Sequence, residues 1–142
     1  MRAVNRWRAE AERWFRQAER DWQAASNLCK SGDYNWSCFV AQQAAEKAVK
    51  AIHAAHGEDV ERIHSIMILI QGDRQIGVQP VTDLEHLVDR ARDLDRMYIP
   101  TRYPNGVPFG IPAEFFGRQN AEDCLQWAQS ILEAVRQILS AM

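Results

Sequence analysis

Proline and glycine are scarce where they would do most harm to a helix. Four of the five prolines fall between Pro100 and Pro112 and the fifth is Pro80, so neither 5–29 nor 35–56 contains a proline or a glycine. Long apolar runs are also missing. The longest, Ile66 to Ile70, cannot cross a bilayer, and no membrane segment is expected. Cysteine is limited to Cys29, Cys38 and Cys124, an odd set without CxxC spacing, which fits a reducing cytoplasm better than a disulfide framework. No charge sign dominates. Lys and Arg number 17 against 19 Asp and Glu, a net of −2, so nucleic acid or anionic membrane would have to be met by a local patch. The stretch from Met1 to Arg20 holds six arginines and no apolar run, which is not the pattern of a signal peptide. GxGxxG, P-loop, GxSxG and HExxH patterns are absent. What is present, 46% apolar and 25% charged residues in 142, describes one soluble globular domain over 1–142.

Within the proline-free stretches the apolar spacing is helical. Trp7, Ala11, Trp14, Ala18, Trp22, Ala25 and Cys29 recur at three and four and predict a long amphipathic helix from Asn5, closed by Ser31-Gly32-Asp33 with Gly32 as a left-handed cap. A second helix is expected from about Asn35 to His56, capped by Asp33 or Asn35. Its inward stripe is Ala41, Ala45, Ala48, Ile52 and Ala55, small side chains that let neighbouring backbones approach. Ile63 to Ile70 reads as a short helix because no second strand is available to pair with it. Thr82 and Glu85 form a capping-box pair before a third long helix reaching Tyr98. Asn120 or Asp123 caps a last helix with Leu125, Ala128, Leu132, Val135 and Leu139 inward. The fold class expected is all-α, an antiparallel bundle of four long helices plus one short helix.

Four groups of residues stand out as candidates. On the second helix Gln43, Glu46, Lys47, Lys50 and His53 lie opposite the alanine stripe with Trp36 and Phe39, a face that reads as covered, by a partner subunit in preference to solvent. For Glu46 and Lys50 the plainer alternative is an i,i+4 surface pair. Asp95 falls in line with the apolar Val88 and Ala91, where a buried carboxylate requires a cation or a cluster of donors, with Arg102, His64 and Lys50 as candidates; the alternative is a solvated carboxylate at the exposed end of the helix. Tyr98-Ile99-Pro100-Thr101-Arg102-Tyr103-Pro104 is stiffened by its prolines and presents Arg102, suited to phosphate or carboxylate, beside tyrosines suited to stacking. It serves equally as a rigid connector. Arg2, Arg6, Arg13, Arg16 and Arg20 make a basic stripe on the first helix, either a phosphate track or a salt-bridged solvent face with Glu10, Glu12 and Glu19. His53 and His56 have no companion ligand at metal spacing, so neither metal nor cofactor is expected.

Taken together, Ala24-Ala25-Ser26-Asn27-Leu28 through Gly32-Asp33-Tyr34, the run Ala41-Gln42-Gln43-Ala44-Ala45-Glu46-Lys47-Ala48-Val49-Lys50-Ala51, His64-Ser65 opening the short helix, Asp95, Tyr98, Arg102-Tyr103-Pro104 and a closing amphipathic helix resemble the HEPN domain family over residues 8 to 140. The resemblance implies a helical bundle that is commonly a homodimer. Many such proteins are encoded beside a minimal nucleotidyltransferase in two-component, often toxin–antitoxin, systems. Many are metal-independent ribonucleases whose motif is an Arg followed four to six residues later by a His. None of His53, His56, His64 and His86 follows an arginine at that distance. The expectation is therefore a non-catalytic nucleotide- or RNA-binding subunit. The alternative is a divergent ribonuclease in which Arg102 meets the phosphate and Tyr103 or His64 replaces the missing histidine. By the same resemblance Tyr103 or Tyr98 is a candidate target of a nucleotidyltransferase partner.

Overall fold

A computed structural model of the chain describes residues 2–142, with side chains from Arg6 onward. Arg2 of the expected basic stripe therefore lies outside the described side chains. The elements are α1 (Arg2–Lys30), α2 (Tyr34–Ala55), α3 (Ile66–Gln71), a 3₁₀ turn (Thr82–Leu87) running into α4 (Val88–Asp95), a 3₁₀ turn (Pro104–Gly106), α5 (Pro112–Phe115) and α6 (Arg118–Ala141). The only strand-like pairing among the described residues is an isolated bridge between Asp73 and Val78. The all-α bundle expected from periodicity is what forms. No helix among the described residues is long and apolar enough to cross a membrane.

α2 is the central helix because its small side chains permit it. Ala41, Ala44, Ala45, Ala48 and Ala51 are fully buried, and α1 and α6 pack along them. α1 contributes Ala11, Phe15, Ala18 and Ala25, and α6 contributes Ala121, Ala128, Ile131, Leu132 and Val135. Phe15, not in the expected stripe, shows that the inward face of α1 is wider than a strict three-four pattern. Gly32 ends α1 at φ +86°, with Asp33 N donating to Leu28 O at 2.9 Å, the left-handed cap expected.

Several local expectations are corrected. The third long helix is broken. Thr82 is not a cap but sits inside the 3₁₀ turn behind Val81, makes no capping bond, and α4 ends at Asp95. Asp, His and Thr in 82–86 are weak helix formers, and the tighter turn lets Leu84 reach the core at full burial. α6 begins after Gly117, whose N–H donates to Asn120 Oδ1 at 2.8 Å, while Asp123 accepts from Gln119 instead of capping. Asp33 stands at the start of α2 but makes no side-chain cap, and Asn35 is turned to another use described below.

The three cysteines are free. Cys38 and Cys124 are fully buried, and Cys124 is pushed well above the ordinary thiol range, first by its hydrogen bond with Cys38 and then by burial. Only Cys29, half-buried at the end of α1, is positioned to react. Ellman's reagent at pH 8 should titrate one thiol in the native protein and all three in denaturant. Three fast thiols in the native state would contradict this packing.

Candidate functional site

Around Glu46, Lys50 and His53 the polar face of α2 is covered by the chain's own segment 56–69. Lys50 Nζ lies 3.1 Å from Glu46 Oε2, and each side chain is only 3% exposed. The same ammonium donates to Glu61 O at 2.9 Å and sits 5.6 Å from the centroid of Trp14. A surface pair is thus excluded. The alanines opposite draw α2 so deep that its polar face is buried as well, and the ion pair is retained because main-chain oxygen and indole complete it. One turn further, both ring nitrogens of His53 face oxygens, Glu58 Oε2 at 2.8 Å and Leu69 O at 2.7 Å. Gln42 donates to His64 O at 3.1 Å, and Gln43 donates to Gln42 Oε1 at 2.7 Å. These bonds strap 56–65 along the helix. Lys47, a step round the helix, instead pairs with Asp21 of α1 at 2.5 Å.

Asp95 closes the far end of the strap. It does not meet Arg102. Its carboxylate accepts from Ser65 Oγ at 2.8 Å, Ile66 N at 2.8 Å and Met67 N at 3.0 Å, so the donor cluster, and not a cation, is its partner. Ser65 in turn accepts from Ile68 N at 3.2 Å as the N-cap of α3. α3 is too short to hold itself, and capping from a neighbouring helix fixes where it starts. Ser65, named with His64 in the family resemblance, is the cap that opens α3; what sequence reasoning missed is its bond to Asp95.

His64 therefore has a fixed place. Its Nδ1 is 3.6 Å from Glu46 Oε2, its ring lies 5.5 Å from that of Tyr98 at 30°, and the side chain is 53% exposed. Tyr98 continues an aromatic row through Phe39 (6.0 Å) to Trp36 (6.1 Å). Arg102 is set into this row. Its guanidinium carbon stands 4.4 Å from the Phe39 centroid, 4.5 Å from Tyr98 and 5.1 Å from Tyr103. Arg102 Nε donates to Tyr98 O at 2.8 Å. The stiff loop behind it is anchored by Asn35 Nδ2 donating to Thr101 O at 3.0 Å and by Thr101 Oγ1 donating to Met97 O. Nε is thus spent on the loop, and among the described residues no carboxylate pairs with the two terminal amino groups. The structure brings together Arg102, Tyr103, Tyr98, His64 and Glu46 as an open shelf. Lys50 and Gln43 support it from below, Asp95 fixes its edge, and Lys47 stands apart, turned toward α1. No three His, Cys, Asp or Glu side chains among the described residues gather as a metal set.

A planar cation held against aromatic faces, with no carboxylate on its terminal amino groups, is chemically suited to a phosphate whose base stacks nearby. Comparison with known proteins adds a lineage to this geometry. The HEPN domain family profile matches residues 11–138. The chain is 28% identical over 134 residues to a Methanocaldococcus jannaschii protein named Putative toxin MJ1304, covering 91% of this chain and 88% of that one. Among solved structures it is similar to TT1696 from Thermus thermophilus, with 40% identity, TM-score 0.77, and 90% and 97% of the two chains covered. It is also similar to ST0689, an archaeal HEPN homologue, with 34% identity, TM-score 0.71, and 92% and 98% covered.

Proposed function

The chain belongs to the HEPN domain family, and from that premise we propose that it is a non-catalytic, homodimeric subunit that binds nucleotide or RNA through the Arg102 shelf. In this reading it works in the cytoplasm beside a minimal nucleotidyltransferase, in a two-component system of the toxin–antitoxin kind. The observation that carries it is Arg102, oriented by three rings and one main-chain bond while its terminal amino groups stay uncommitted. The M. jannaschii relative's name supports the toxin setting. Trp36, Tyr103, Phe109 and Ile111 are large apolar side chains 45% or more exposed, and they give self-association or partner docking a surface to cover.

A second reading is favoured by one contact. His64, its Nδ1 turned to the buried Glu46 and its ring against Tyr98, is the histidine that the missing motif would otherwise supply. In a divergent ribonuclease its outer nitrogen would take the 2′-hydroxyl proton while Arg102 meets the phosphate.

Sedimentation velocity with a fluorescein-labelled single-stranded RNA tests both. The expected result is a species of dimer mass carrying label, with intact RNA on a denaturing gel. In Arg102→Ala the affinity should fall about 10- to 100-fold, the worth of a lost charge-assisted bond. A monomer without label, or wild-type affinity in the variant, rejects the first reading. Fragments that disappear in His64→Gln would establish the second.

A further inference from the structure

The shelf leaves the basic stripe of α1 unused. Arg13, Arg16 and Arg20 recur at three and four residues and line one groove of about 630 Å³, together with Trp14 and Lys47. The carboxylates at the groove are already matched. Glu10 pairs with Arg13 at 2.8 Å, Glu19 with Arg136 of α6 at 2.9 Å, and Asp21 with Lys47. Arg16 and Arg20 are exposed and carry no ion pair among the described residues, and residues 1–5 contain no Asp or Glu. Among the residues lining the groove the outcome is an excess of two cations, with Glu12 one turn before Arg16 the unpaired carboxylate outside it, on a chain whose net charge is −2. Arg13 and Arg20 are two helical turns apart, about 10 Å along the axis. Trp14, half-buried and displaced round the helix from the arginines, lines the same groove.

We propose that this groove is a backbone track for single-stranded RNA, a second contact site separate from the Arg102 shelf. The inference rests on the RNA arm of the function proposed above. Spaced cations with an aromatic in the same groove suit phosphates and a stacked base better than they suit an acidic peptide, which offers nothing to stack. The groove is joined to the shelf by contacts already described. Trp14 touches Lys50, Lys50 pairs with Glu46, Glu46 faces His64, and His64 stacks on Tyr98 beside Arg102.

The test is fluorescence anisotropy of a labelled single-stranded oligoribonucleotide against salt, between about 50 and 200 mM. Each phosphate contact on a single strand adds about 0.7 to the slope of log affinity on log salt. Arg16→Ala/Arg20→Ala should therefore lower that slope by about 1.4, while Arg16→Lys/Arg20→Lys keeps it. Both positions are exposed on a long helix, and unchanged melting of the double variants shows that the fold is intact. An unchanged slope in the alanine variant, with Arg102→Ala still impaired, overturns the groove and leaves the shelf. No RNA binding by the wild type overturns both. Binding of polyglutamate in place of RNA assigns the groove to an acidic protein segment and overturns the RNA track.

Discussion

Lys50→Ala should cost about 3–5 kcal/mol of unfolding free energy, the largest effect expected of any single change at the polar face of α2. The substitution removes the ammonium from a position where it serves three groups: Glu46 Oε2, Glu61 O and the Trp14 ring. The Glu46 carboxylate would be left 3% exposed without its cation, and Glu61 O would lose its donor. Stability on this scale is a large part of what a domain of this length has, and melting should fall by about 10–15 °C. The pair is not itself a source of much net stability, because both charges leave water to form it. Glu46→Leu/Lys50→Met should therefore lie within about 1 kcal/mol of wild type, far above either single variant. A loss below about 1 kcal/mol in Lys50→Ala would mean that water reaches the pair. Glu46 also faces His64, so the double variant separates stability from site geometry. It should stay folded while His64 loses the carboxylate at its Nδ1.

The fold was legible because helices report themselves locally. The alanines of α2 and the recurring apolar residues of α1 and α6 mark their inward faces whatever they pack against, and the burial of Ala41, Ala45, Ala48 and Val135 follows the stripes. Helix ends were less legible. Whether 82–87 continues α4 as α-helix or tightens to 3₁₀ is decided by where Leu84 must reach in the core, which no local pattern states. The site divides in the same way. Arg102, Tyr98 and Tyr103 lie within six residues, and their clustering is visible in the sequence. Their relation to Phe39, His64 and Glu46 is tertiary. The polar face of α2 could be seen to be covered, but the cover proved to be main-chain oxygen of Glu61 and Leu69, and a carbonyl has no sequence signature. Pairing Asp95 with Arg102 was the natural inference from charge. It fails because three donors at the start of α3 already satisfy the carboxylate, while aromatic rings hold the guanidinium in place and only its Nε–H is taken, by the Tyr98 carbonyl.

Asp95→Ala should be nearly as damaging as the loss of Lys50, at about 2–4 kcal/mol, and it bears on function more directly. The carboxylate accepts two main-chain N–H groups and the Ser65 hydroxyl, all part-buried, and alanine leaves these donors unpaired. Ser65 could turn to cover one of them but already caps Ile68 N, so it cannot replace the carboxylate. A six-residue helix has no reserve of its own against that loss. Ser65→Ala removes one donor and one cap together and should cost less, about 1 kcal/mol, because Asp95 keeps its two main-chain bonds. Asp95→Asn should fall between the two, since its amide oxygen still accepts but its NH₂ is set against donors. The order Ala worst, then Asn, with Ser65→Ala mildest, is what chemical denaturation of the three variants checks. Equal costs for Asp95→Asn and Asp95→Ala would mean that charge alone matters. His64 precedes Ser65 directly, so freeing the start of α3 should also loosen the His64 ring from Tyr98. Broadened His64 ring resonances in Asp95→Ala, with Arg102 still bonded to Tyr98 O, would mark the strap as what holds the two halves of the shelf together. A sharp, unshifted His64 in that variant would show instead that Gln42 and Glu46 hold the ring on their own.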